Sequence, residues 1–194
     1  MRPSIKIALL FAGIWFLVRM VFFQFQLFQN EPGVKILILW NLFCLLMAVT
    51  IGTLVEKMKE KREGRSAEGS AFADIKEAMR GGMIYTVSVA ILIYLYYAKI
   101  DPAYNERQLA RIEAAYARDV NNPKQLAIFR NDNPEGASMT KEEILVKAME
   151  GPKSFYSPGS TMILSLLGML LLTTVNAILV TVVFRRVLFK QGTL

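Results

Sequence analysis

Four long apolar blocks constrain this chain more than any other feature. They run Ile5–Phe28, Val34–Val55, Met83–Ala98 and Met162–Phe184. Each approaches or exceeds the roughly 18–20 apolar residues that cross a bilayer core of about 30 Å. The first is interrupted by Arg19, Gln24 and Gln26, and the third, the shortest, gains length if its helix starts near Ile75. A soluble domain of 194 residues would spread its 54% hydrophobic residues along amphipathic elements, and here they are gathered. The expected fold is an all-α integral membrane protein with four transmembrane helices and a small helical extracytoplasmic cap between spans three and four. The expected organisation is 1–98 for the first three spans with a basic loop at 56–82, 99–161 for the outer segment, and 162–194 for the last span and a basic tail. The first block is too long for a secretory signal, carries an arginine and shows no small-residue cleavage site.

Basic residues settle the expected orientation. Arg2 and Lys6 precede or open the first block, seven lysines and arginines lie between Glu56 and Gly82, and Arg185, Arg186 and Lys190 follow the last block. These segments fall on one side of a four-span chain, which predicts both termini in the cytoplasm. The long third connection, Lys99–Ser160, balances nine basic against nine acidic residues and is placed outside. The formal charge of +7 is thus topological. No basic face interleaved with aromatics points to nucleic acid.

The loops carry helix signals. Gln29–Gly33, with Pro32 and Gly33, predicts a tight turn between antiparallel neighbours. Glu56–Glu63 reads as a solvated extension of helix two beside anionic headgroups. Ser70 caps a short interfacial elbow whose stripe is Phe72, Ile75 and Met79, with Gly81 and Gly82 permitting a bend or a close helix contact. Asp101-Pro102 reads as a cap followed by the first helical position, opening an amphipathic helix with Leu109, Ile112, Tyr116 and Val120 on one stripe. "NNPKQLAIFR" starts another short helix, and Thr140 with Glu143 forms a capping box before Ile144, Leu145, Ala148 and Met149. Tyr94, Tyr96 and Tyr97 fit an interfacial aromatic belt.

The stretch "FADIKEAMRGGMIYTVSVAILIYLYYAKIDPAYNERQL", followed by a final apolar span ending in "VVFRRVLFK", resembles a bacterial family labelled domain of unknown function 4199. The resemblance implies four spans in a bacterial inner membrane and carries over no active-site residues. It also suggests a polyprenyl-phosphate glycosyltransferase as a partner.

Chemistry-bearing patterns are sparse. There is no histidine and a single cysteine, Cys44, so neither an intramolecular disulfide nor the commonest metal ligand set is available, and no cofactor is expected. Glycines of "AMRGGM" follow no strand and form no nucleotide fingerprint. The outer acids Asp132, Glu135, Glu142 and Glu143 read as solvated, and "NDNPEG" as a turn rather than a calcium loop.

What remains is a polar set inside the spans: Arg19, Asn41 and Asn176. Ionisable groups at such depth are candidates for function. No aspartate or glutamate lies in any block, so Arg19 is expected to meet neutral polar groups such as Asn41 or Asn176, or an anion that this chain does not encode. Thr173, Ala177 and Thr181, four residues apart, offer a packing face for the bundle or for an oligomer. The expected function is a non-enzymatic accessory or scaffold subunit of an inner-membrane assembly. Its expected partners are membrane lipids and either another membrane protein or further copies of itself. The alternative is a small transporter or lipid-binding protein in which Arg19 holds an anionic group.

Overall fold

The computed structural model describes residues 2–25, 31–64, 70–132 and 138–188, and its extended regular elements are all helices. In order they are α1 (Pro3–Gln24), α2 (Glu31–Arg62), α3 (Ala71–Leu95), α4 (Ala103–Asn121), α5 (Pro123–Asp132), α6 (Lys141–Phe155) and α7 (Pro158–Val183). Wider π turns, Tyr96–Ile100 and Phe184–Leu188, continue α3 and α7. Helices α1, α2, α3 and α7 are long and apolar enough to cross a bilayer, so this is an all-α, four-span membrane protein. Of the turn read at Gln29–Gly33, Glu31, Pro32 and Gly33 instead open α2, while Gln29 and Asn30 lie outside the described residues, as do most of the "NDNPEG" segment and Gln26, Arg65 and Lys190. The chain forms two compact units, residues 1–92 with 165–194, and residues 93–164.

In the first unit the usual arrangement of a soluble core is inverted. Leu10, Leu17, Leu39 and Leu171 lie outward and exposed, where lipid tails would meet them. Small residues lie inside, at four-residue spacing on every span. The buried positions are Ser4, Ala8 and Ala12 on α1, Cys44, Ala48 and Gly52 on α2, Ala78, Gly82, Thr86 and Ala90 on α3, and Thr173, Ala177 and Thr181 on α7. Lipid gives no hydrophobic gain for bringing two apolar helices together, so close backbone approach and interhelical hydrogen bonds must do it.

Two glycines show how tight the approach is. A Cβ on Gly52 would stand 3.4 Å from Ser4 Cα, and one on Gly81 would stand 3.5 Å from Ser4 O, so α1 enters between α2 and α3 at Ser4. A Cβ on Gly82 would overlap Thr173 Cγ2 and come within 2.8 Å of Val49 Cγ2. The glycine pair therefore serves contact and not bending. Helix α3 runs unbroken through both glycines, and the expected elbow is simply its first turns. Ser70 does cap it, accepting the Ala73 amide at 3.2 Å. Helix α2, with 32 residues, spans about 48 Å at 1.5 Å per residue and so outruns the hydrocarbon core.

In the second unit α4 packs against α5 and α6. Its stripe Leu109, Ile112, Tyr116 and Val120 is half-buried, and Ile144 and Met149 of α6 are buried. Asp101 departs from expectation. Helix α4 begins after Pro102 with no side-chain cap, and the Asp101 carboxylate accepts Arg107 Nη2 at 2.8 and 2.9 Å instead. A charge-assisted bond to a guanidinium outcompetes one to a neutral amide. Asn122 Oδ1 accepts the Lys124 amide at 3.1 Å and starts α5. Ser157 does the same for α7, accepting the Ser160 amide at 3.1 Å with Pro158 at the first helical position. That span therefore begins four residues before the apolar block it carries.

The capping box of α6 is formed. Thr140 Oγ1 accepts the Glu143 amide at 3.2 Å, and Glu143 Oε2 accepts the Thr140 amide at 2.7 Å. These bonds favour the ionised form and hold the Glu143 carboxyl below its ordinary value. The folded pKa is lowered, so the contribution to α6 is present above the ordinary glutamate pKa and is lost as pH falls through the lowered folded value. Protection factors of the first-turn amides of α6, taken against intrinsic exchange at each pH, should fall across that acid window. The step should disappear in Glu143→Gln.

Candidate functional site

The intramembrane polar residues lie on the buried faces of their helices. Asn41 accepts the Tyr85 hydroxyl at Oδ1, 2.7 Å away, and its Nδ2 approaches Met169 Sδ at 3.5 Å. Asn176 Nδ2 donates to Leu46 O at 3.5 Å, and the hydroxyls of Thr86 and Thr173 are 3.2 Å apart. Each of these contacts joins two different spans. Thr173, Ala177 and Thr181 are all buried within the chain's own bundle.

Arg19 is 9% exposed and shares the buried face of α1 with Ser4, Ala8, Ala12 and Trp15. It is engaged there. Because α1 ends at Gln24, Arg19 lies five residues, or about 7.5 Å, from the helix end and not at mid-span. Of its two anticipated amide partners, Asn41 accepts the Tyr85 hydroxyl at Oδ1 and donates from Nδ2 to Met169 Sδ, and Asn176 donates from Nδ2 to Leu46 O.

A second constellation occupies the opposite end of the first unit, where α1 and α3 start and α2 and α7 finish. The α2 extension read as solvated is exposed over most of Glu56–Glu63, but Glu56 at its start is only 8% exposed, and Asp74 of α3 only 5%. Helix α1 has no side-chain cap of its own, because Arg2 occupies the cap position. Glu56 of α2 supplies one by accepting the Ser4 amide at Oε2, 3.2 Å away. A carboxylate at a helix N-terminus also meets the positive end of the helix dipole. Glu56→Ala should therefore destabilise the protein by about 1.5–3 kcal/mol, the range for a buried hydrogen bond to a charged group. Glu56→Gln, which keeps an acceptor, should cost less. Denaturant titration in micelles measures both.

Asp74 binds two other spans at once. Lys57 Nζ of α2 donates to Oδ1, and Arg185 Nη1, just past α7, donates to Oδ2 at 2.8 Å. Lys57 also reaches Glu60 Oε2 at 3.0 Å. Beside this pair Glu77 Oε1 lies 3.2 Å from Arg2 Nη1 and 3.7 Å from Arg80 Nη1, which ties the start of α1 to α3. With both Asp74 oxygens occupied by cations, the constellation is suited to fixing helix ends rather than to moving protons. Among the described residues, no three histidine, cysteine, aspartate or glutamate side chains converge to hold a metal ion.

The signal for these residues was present in the four-residue periodicity. Continuing each small-residue stripe by one step leads from Gly52 to Glu56, from Ala78 back to Asp74, and from Thr181 to Arg185. The charges that close on one another are the ends of the packing stripes.

Compared with known proteins, the chain matches over residues 6–186 the family described as Protein of unknown function (DUF4199), and it belongs to that family. No curated protein and no solved structure matches it.

Proposed function

We propose that this member of the DUF4199 family is a non-enzymatic subunit of a larger membrane assembly, an accessory or scaffold protein of the bacterial inner membrane with both termini in the cytoplasm. The observation that carries this reading is the use made of its buried polar groups. Glu56, Asp74, Asn41, Thr86 and Asn176 each bind a different helix, so the polar interior joins spans together. Arg19, on the same buried face as the α1 packing stripe, fits that use better than it fits a grip on a transported anion.

The surface left over for a partner lies on the 93–164 unit. Ile128, Val146 and Phe155 are each more than half exposed there. A polyprenyl-phosphate glycosyltransferase is the first assembly to test. A photo-crosslinking residue at Val146 or Phe155 of the full chain, activated in intact membranes, should trap a discrete protein adduct. Adducts to lipid alone would reject the reading.

A further inference from the structure

We infer that the end of the bundle built around Asp74 binds the phosphate headgroups of anionic phospholipids. The inference does not rest on the scaffold reading. In sequence the charges near this end are mixed in sign, as in "EKMKEKRE", and show no single sorted pattern along the helix. The fold sorts them. Glu56 and Asp74 are buried, and Glu60 and Glu77 are half-buried against Lys57, Arg2 and Arg80. Lys6, Lys59, Lys61, Arg62, Lys76 and Arg186 are exposed. Among the described residues of this end, Glu63 is the one exposed acid, and Lys59 lies 3.7 Å from it.

The buried and half-buried carboxylates therefore meet inward cations, and the exposed charges among the described residues of this end are mostly cations. These cations come from α1, α2, α3 and the turn after α7, so they surround the bundle at the level where its apolar surface ends. Headgroup phosphates occupy that level of a bilayer, and each basic residue near an anionic surface contributes independently. The occupant that fits is thus a phospholipid with net negative charge, held at its phosphate.

The test uses the full-length protein in nanodiscs of equal phosphatidylcholine and phosphatidylglycerol, released and read by native mass spectrometry. Phosphatidylglycerol should be retained preferentially. Lys6→Gln/Lys76→Gln/Arg186→Gln, at three exposed positions, should lower that preference at least about tenfold, since each charge is worth roughly fivefold. Lys35→Gln, at the other end of α2, should leave it unchanged. Glu63→Lys should raise it several-fold. In the wild type, release at 0.5 M salt should also lower it, because the Debye length there is only about 4 Å. Equal retention of both lipids by the wild type would overturn the inference. So would a preference that survives the triple substitution, that falls equally in Lys35→Gln, or that ignores salt.

Discussion

Asp74→Ala should destabilise the protein by about 3–5 kcal/mol, the largest effect expected of any single polar substitution in it. The substitution removes the shared counter-ion of Lys57 and Arg185, whose side chains are only 12% and 19% exposed. The cost is the penalty of two poorly solvated cations that lose their shared carboxylate, with Glu60 still beside Lys57, and it exceeds the worth of the intact triad. That distinction is testable. Replacing all three groups with apolar residues of similar volume, Lys57→Met/Asp74→Leu/Arg185→Met, should recover most of the loss, because a buried ion cluster is often no more stable than its apolar replacement. Thermal unfolding in micelles, followed by circular dichroism, reads both variants. An Asp74→Ala protein within about 0.5 kcal/mol of wild type, the range of an ordinary surface change, would show that the carboxylate does not hold the helix ends.

Gly82→Val should be comparably damaging, through sterics and not charge. The first added carbon already overlaps Thr173 Cγ2 and presses on Val49 Cγ2, and neither atom belongs to a long flexible side chain. Overpacking of this kind costs about 1–3 kcal/mol where neighbours can adjust, and more where backbones must part. Gly82→Ala should show the lower part of that range and be rescued by Thr173→Gly with Val49→Ala. Gly13 and Gly168 give the contrast. A Cβ at either position meets nothing within 4 Å. Alanine there should be neutral or stabilising by up to roughly 1 kcal/mol, since it removes the glycine penalty inside a helix. Parallel unfolding curves of the three Gly→Ala proteins separate packing from propensity.

Much of this architecture was legible from apolar block length, because a bilayer imposes both the length and the helical solution. The local starts were legible where one side chain decides them, as at Ser70 and in the Thr140–Glu143 box. Asp101 was misread because a cap and an ion-pair partner look alike in sequence, and only the fold brings Arg107 within reach of it. The glycine pair stayed open between a bend and a close contact because glycine signals both, and the elbow is the first turns of a continuous α3. Contact is decided by what lies opposite, here Thr173 from a segment about 90 residues away.

The charged end was missed for a related reason. Reading Glu56–Glu63 by sign and spacing along one helix finds no pattern. The pattern lies between helices, where stripes of small residues lead to Glu56, Asp74 and Arg185. Arg19 was singled out for its depth in the first block, and that depth was judged from an apolar block that extends beyond the end of α1.

Native mass spectrometry after detergent-free extraction into polymer nanodiscs tests the central claim, that this protein is one subunit of a larger assembly, most directly. The expected result is a complex in which the 21.9 kDa chain occurs in fixed stoichiometry with a second membrane protein. A spectrum containing only the 21.9 kDa chain or its integer multiples, at every polymer and growth condition tried, would contradict it.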